Sequence, residues 1–113
     1  SPLGFGVLSG KYLNGKIPED SRLKLFPNLS RFAGQQSMKA TEKYMKISQE
    51  YGISLTHISL AFVNSRPFVT SNIIGASKLE QLKENISSIN VNLSKEILGE
   101  IEKIHSLIPN PAP

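Results

Sequence analysis

The stretch from Phe68 to Ile74 is the one segment of this chain that reads as a β-strand, and a single strand cannot make a sheet. β-Branched Val69, Thr70, Ile73 and Ile74 run into Gly75, and a helix signal follows at once. Strand, glycine and capped helix form the repeating unit of a parallel α/β architecture, whose strands are buried on both faces and require neighbours. No second stretch supplies those neighbours. The sequence is therefore expected to be an excised piece of a larger α/β structure. The opening Ser1-Pro2-Leu3-Gly4 agrees, because it reads as a strand end entering a turn and not as a signal peptide. With 113 residues, the expectation is one domain at most.

The remaining elements are helical or irregular. Residues 1–35 are punctuated by Gly4, Gly6, Gly10, Gly15, Pro18, Pro27 and Gly34, too often for a long regular element, and are expected to form a long loop with short local structure. From about Ser37, the residues Ala40, Tyr44, Ile47 and Tyr51 recur at helical spacing, and Gly52 is placed to end that helix. A second helix is expected over Ser54–Ser65, where Ile58, Ala61 and Phe62 share a face and Pro67 forbids continuation. Beyond the strand, Ser77-Lys78-Leu79-Glu80 has the Ser-x-x-Glu spacing of a capping box. It predicts a helix with Leu79, Leu82, Ile86 and Ile89 on one core stripe. A last helix over 94–108, capped by Ser94, carries Ile97, Ile101, Ile104 and Ile108 on one face before Pro109, Pro111 and Pro113.

Composition removes several function classes. No apolar run approaches the roughly 18–20 residues a bilayer crossing needs, so no membrane role is expected. The absence of cysteine excludes disulfide scaffolds, thiolate metal sites and cysteine nucleophiles, and permits a reducing, cytoplasmic location. His57 and His105 are the only histidines, too few for a histidine-rich metal site, and no metal is expected. Of the net charge of +4, residues 1–46 hold eight Lys/Arg against three Asp/Glu, whereas residues 47–113 hold five against six. The basic N-terminal excess is either a solvated surface or a field that attracts a polyanion such as a nucleotide. Nucleic acid is not an expected partner: a pI near 9.5 is its only support, aromatic and basic residues are not interleaved, and no helix-turn-helix or zinc pattern occurs.

Two segments could carry chemistry. At Gly75 the backbone can turn sharply at a strand's carboxyl end, and the next helix offers free amides and a positive dipole end, an arrangement suited to phosphate. Ser77, Gln81, Glu84 and Asn85 fall along one edge of that helix and could bracket an adenine ring. The bland alternative makes Ser77 an N-cap and Gln81, Glu84 and Asn85 a solvated face. The second segment, Ser1 to Tyr12, gathers glycines with Lys11. Both Lys11 and Arg22 could meet a phosphate, although neither a Walker loop nor a Rossmann fingerprint is present.

Taken together, Ser-Pro-Leu-Gly-x-Gly-x-Leu-Ser-Gly-Lys-Tyr at the start and Ile-Gly-Ala-Ser-x-x-x-Gln-Leu-x-Glu-Asn about seventy residues on resemble the C-terminal part of the aldo-keto reductases. The likeness is greater to the Tas-like and potassium-channel β-subunit-like branches. It covers essentially the whole chain, including the closing Glu-Ile-Glu-x-Ile-His helix.

The resemblance implies the C-terminal portion of a (β/α)8 TIM barrel: the end of strand 7 at Ser1, a long loop, two helices, strand 8 at Thr70–Ile74, helix 8 and an extra C-terminal helix. Barrel sites lie at the carboxyl ends of strands, so both segments would share one rim. The implied cofactor is NADP, with Ser1, Pro2, Leu3, Gly4 and Phe5 running past the pyrophosphate and Lys11 and Arg22 coming from the loop that closes over it. Gly75 and Ser77 would lie near the adenosine 2′-phosphate with Gln81 beside them, and Glu84 and Asn85 would read adenine; Lys78 is a further implied contact to that phosphate. The family's Asp-Tyr-Lys-His tetrad lies upstream of this region, so no catalytic residue is expected here, and His57 and His105 are expected to be structural or surface residues. The implied function is reduction of a small aldehyde or ketone by hydride transfer in a full-length parent, with the remaining barrel segment required for folding. The alternatives are a nucleotide-binding, non-catalytic interaction subunit of the same fold and, from another class, a small basic helical domain that binds nucleic acid.

Overall fold

A computed structural model describes the backbone of residues 1–113 and every side chain except those of residues 29 and 30. Five α-helices carry the architecture: α1 (Arg22–Leu25), α2 (Gln35–Tyr51), α3 (Leu55–Asn64), α4 (Leu79–Ser87) and α5 (Lys95–Leu107). Short 3-10 turns at Gly4–Ser9, Leu13–Gly15, Pro27–Ala33 and Ser88–Asn90 fill the connections.

The helix boundaries follow from local chemistry. Helix α2 stops where Gly52 enters the left-handed region at φ 65, which frees the chain to turn and lets its amide reach the Ser48 carbonyl. Two residues later Ser54 caps α3, its Oγ accepting from the His57 amide at 3.1 Å. Ser94 does the same for α5, accepting from the Ile97 amide at 3.2 Å. Helix α3 ends at Asn64, ahead of Pro67, as the fixed proline φ and missing N–H require.

Helix α3 is central. It packs on α2, on α4 and on the Gly4–Ser9 turn, while α5 lies against α2. Ile47, Ile58, Ile97, Ile101 and Ile104 form the core where α2, α3 and α5 meet, flanked by Tyr44, Tyr51, Phe62 and Leu93. Each such buried side chain stabilises the packing by roughly 1.5–3 kcal/mol. The spacing of Ile97, Ile101 and Ile104 thus buries the face it predicts, but Ile108 falls just outside the helix as its C-cap. The tail after α5 folds back, and Ser37 Oγ donates to the Pro111 carbonyl at 2.7 Å.

Three expectations need correction. First, no strand exists among the described residues: neither Phe68–Ile74 nor the chain at Ser1 pairs with anything, because a strand is defined by a neighbour's hydrogen bonds and none lies beside it. The described part of the α/β fold is therefore its helical layer. Instead of a ladder, Asn72 tethers the segment, its Nδ2 donating to Asn64 Oδ1 at 2.9 Å and to the Leu60 carbonyl at 3.4 Å. Second, the capping box does not form. Helix α4 begins at Leu79, so Ser77 sits a residue too early for its oxygen to reach the amide of Glu80. Gln81 reaches back instead, its Oε1 accepting from the Ser77 amide at 3.1 Å and from Ser77 Oγ at 3.3 Å. Third, the stripe Leu79, Leu82, Ile86 and Ile89 is not core. All four side chains are exposed, as are Phe68 and Ile73. No helix of the described residues is long and apolar enough to cross a membrane.

Candidate nucleotide-binding cleft

The N-terminal turn is built from backbone that ordinary residues avoid. Gly4, Phe5 and Gly6 take φ values of 52, 57 and 93, three successive left-handed residues of which only Phe5 carries a Cβ. Phe5 is held there by Phe32, with ring centroids 4.9 Å apart, and by Arg22, whose guanidinium lies 5.3 Å above its ring. The turn continues to the buried Tyr12, whose hydroxyl accepts from the Leu23 amide at 3.4 Å. Tyr12 thereby fixes the start of α1, and with it Arg22, against the first residues of the chain.

Across from this turn, the Ile73–Ser77 segment and α4 form a second wall. Asn85 is buried, and its Nδ2 donates to the Gly75 carbonyl at 3.3 Å, which locks the Gly75 corner to the helix. The Leu82 amide makes α4's first bond, to the Lys78 carbonyl at 3.1 Å, so the amides of Leu79, Glu80 and Gln81 precede the intrahelical ladder. Glu84 is half-buried, and its Oε1 accepts from Ser54 Oγ at 2.7 Å. The solvated-face alternative therefore fails for Asn85 and, in part, for Glu84.

Between the two walls lies a cleft of about 770 Å3. Ser1, Pro2, Leu3, Phe5, Lys11 and Arg22 line it on one side, and Gly75, Ser77, Gln81, Glu84 and Asn85 on the other. Of the residues singled out in the sequence, Gly4 and Lys78 do not line the cleft; Gly4 faces Phe32 and Val7. Sequence reasoning missed Asp20, Phe26 and the α3 start at Ser54–Thr56, all of which also line it. Ser54 was legible as a helix cap, but nothing in the local pattern shows that its hydroxyl also meets Glu84.

Charge is distributed across the walls. Lys11 and Arg22 supply the cations of the N-terminal side. Asp20 pairs with Lys78 at 2.6 Å and so ties the N-terminal loop to the residue preceding α4. That ammonium, through its hydrogen bond and then its charge, holds the Asp20 carboxyl below its ordinary value of 3.8, while Asp20 raises Lys78 above 10.5. Lys78 is thus engaged by a carboxylate rather than free for a phosphate. His57 Nε2 meets the Glu84 carbonyl and Ser87 Oγ across the α3–α4 contact and does not line the cleft, and His105 is exposed on α5.

A model of the Aldo/keto reductase family matches residues 1–106 of this chain. The chain belongs to that family. Aldo-keto reductases are oxidoreductases with a TIM-barrel fold that generally use NAD(P)H, and both segments at the cleft fall within the matched region. The chain is 44% identical, over all of its 113 residues, to Protein tas of Escherichia coli strain K12. It is 38% identical over 109 residues, 92% of its length, to a probable voltage-gated potassium channel subunit beta of Oryza sativa subsp. japonica. It is 36% identical over 112 residues, 91% of its length, to an L-glyceraldehyde 3-phosphate reductase of Escherichia coli O157:H7. The chain spans about one third of the length of each of these relatives: 33%, 33% and 31%.

Proposed function

We propose that residues 1–113 are the cofactor-binding C-terminal part of an NADPH-dependent aldo-keto reductase that reduces an aldehyde or ketone. The observation that carries this reading is the single cleft shared by the Ser1–Arg22 and Gly75–Asn85 segments. Its size falls within the roughly 300–1,000 Å3 of small-molecule sites, and its donor set suits a phosphorylated nucleotide: two cations, a hydroxyl, helix-start amides and an acceptor-rich far end.

In this reading Ser1, Pro2, Leu3 and Phe5 form the floor beside the pyrophosphate, with Gly4 shaping the turn. Lys11 and Arg22 attract and hold phosphate charge, and Arg22 reaches the 2′-phosphate as well as the pyrophosphate. Gly75, Ser77 and Gln81 take the 2′-phosphate, which requires Gln81 to release the Ser77 amide it now holds. Glu84 and Asn85 meet the adenine. The bound nicotinamide supplies the hydride, and the side chains of this chain orient it. Proton transfer to the carbonyl oxygen belongs to the tetrad that the family carries upstream, so these residues alone give no turnover. A cytoplasmic location accompanies this role.

Arg22→Ala and Ser77→Ala in the full-length protein are expected to weaken NADPH about tenfold more than NADH, since NADH lacks the 2′-phosphate and a charge-assisted hydrogen bond contributes about 1.5–3 kcal/mol. Isothermal calorimetry reads both constants. Equal weakening of the two nucleotides would remove these residues from the 2′-phosphate. A second reading, a nucleotide-binding interaction subunit without turnover, is favoured by the potassium-channel subunit similarity. Assay of the full-length protein with NADPH and a panel of aldehydes separates the two.

A further inference from the structure

His57 was singled out for no site, yet it stands where α3 grips α4. Its Nε2 lies 3.0 Å from the Glu84 carbonyl oxygen and 2.9 Å from Ser87 Oγ. Ser87 Oγ donates to the same Glu84 carbonyl at 2.9 Å, so its proton is committed and it can only accept from the imidazole. Both neighbours of Nε2 are therefore acceptors, and Nε2 carries the proton and donates to both. One helical turn earlier, Ser54 Oγ accepts from the His57 amide and donates to Glu84 Oε1 at 2.7 Å. The first turn of α3 thus holds Glu84 twice, by its main chain and by its carboxylate.

A clamp serving helix packing alone would have no need of the carboxylate. Here the hydroxyl engages one oxygen of a side chain that lines the cleft, and Ser54 itself lines the same cleft. The second oxygen, Oε2, has no hydrogen-bond partner among the described residues. A glutamate has three rotatable torsions, and one left to sample them would meet a ligand's donor only part of the time. Pinning Oε1 to Ser54 fixes where Oε2 can be. An ionised carboxylate accepts and does not donate, so a carboxylate held this way favours a base bearing an exocyclic amine over one bearing a carbonyl at the same place.

We propose that Ser54 and His57 are positioning residues that hold Glu84 as the selector of the 6-amino group of adenine against the 6-oxo group of hypoxanthine. The proposal rests on the reading of Glu84 as an adenine contact. Its test uses the full-length protein and calorimetric dissociation constants for NADPH and for its hypoxanthine analogue. Glu84→Ala is expected to reduce the preference for NADPH over the analogue about tenfold. An unchanged preference would overturn the adenine reading of Glu84 itself, and the positioning role with it.

Given a loss in Glu84→Ala, Ser54→Gly and His57→Ala are each expected to reduce the preference about three- to tenfold. Glycine is nearly as good a helix N-cap as serine, so Ser54→Gly removes the hydroxyl from Glu84 while sparing α3. Ser54→Thr and His57→Gln, which restore an Oγ donor and an N–H donor, are expected to recover it. Adding Ser54→Gly to Glu84→Ala should cause no further change. If the single variants weaken both nucleotides equally, or leave the preference intact while Glu84→Ala loses it, the positioning role is overturned and the cluster serves helix packing alone. Should His57→Ala fail to fold by circular dichroism, Ser87→Ala, which removes the other donor to the Glu84 carbonyl, takes its place with the same expected outcome.

Discussion

Phe5 occupies backbone that costs an L-residue roughly 1–2 kcal/mol, and its ring recovers part of that against Phe32 and Arg22. The usual order of small substitutions should therefore invert at this position. Phe5→Ala keeps the strained φ and loses the ring contacts, whereas Phe5→Gly loses the contacts but relieves the strain. Thermal unfolding should find Phe5→Ala the less stable of the two by about 1 kcal/mol, the reverse of what is found where backbone is ordinary. The Ser-Pro-Leu-Gly-x-Gly spacing signals a turn at this place in the sequence. That the residue between the glycines shares their left-handed conformation is visible only in the fold, where the Phe32 ring and the Arg22 guanidinium hold it.

Between elements, the Asp20–Lys78 pair is the direct charged link from the N-terminal loop to the approach of α4. Asp20 has its carboxyl pKa lowered, so the contribution is complete above the ordinary value of 3.8 and is lost as pH falls through the lower folded value. Lys78 is raised, so its share is complete below 10.5 and is lost as pH rises through the higher folded value. The pair therefore acts across the whole neutral range, but both side chains are more than half exposed and salt will screen it. At pH 7, Asp20→Asn should speed amide hydrogen exchange over residues 18–26. Raising salt to about 1 M should do the same to the unsubstituted protein and little to the variant. The sequence could not announce this pair, because its members lie 58 positions apart, a separation no helical or turn periodicity relates. The capping box failed for a different reason. Its spacing was correct, but α4 begins one residue later than that spacing requires, and Gln81 satisfied the Ser77 amide instead.

Across the whole molecule, several large apolar side chains stand exposed. Ile73 is 84% exposed and Phe68 81%, and the α4 stripe adds Leu79, Ile86 and Ile89. Large apolar side chains left exposed in such number are a contact surface or an aggregation hazard. By itself the chain should unfold broadly and self-associate as its concentration rises; a sharp, concentration-independent melt of the isolated monomer would contradict that. Ile73→Lys makes the point with opposite signs. It should keep the isolated chain monomeric to higher concentration in sedimentation. In the full-length protein, where the proposed barrel would bury residue 73 in the eighth strand, it should lower the melting temperature by several degrees, as an unpaired buried charge does.

Local periodicity determined a good deal. The extents of α2, α3 and α5 follow from Ala40, Ile47, Ile58, Ile97 and Ile101 and from the stops at Gly52 and Pro67, because a helix's hydrogen bonds and its buried stripe are both set within a few residues. The two motifs that mark the family are likewise contiguous stretches. Tertiary structure alone decided whether Phe68–Ile74 is a strand, which face of α4 is buried, and that Ser54, His57 and Asp20 belong to the same neighbourhood as Glu84 and Lys78. Each of those depends on a partner distant along the chain. A strand without its neighbour's hydrogen bonds is only extended backbone, and a polar side chain acquires its role from the atom it meets.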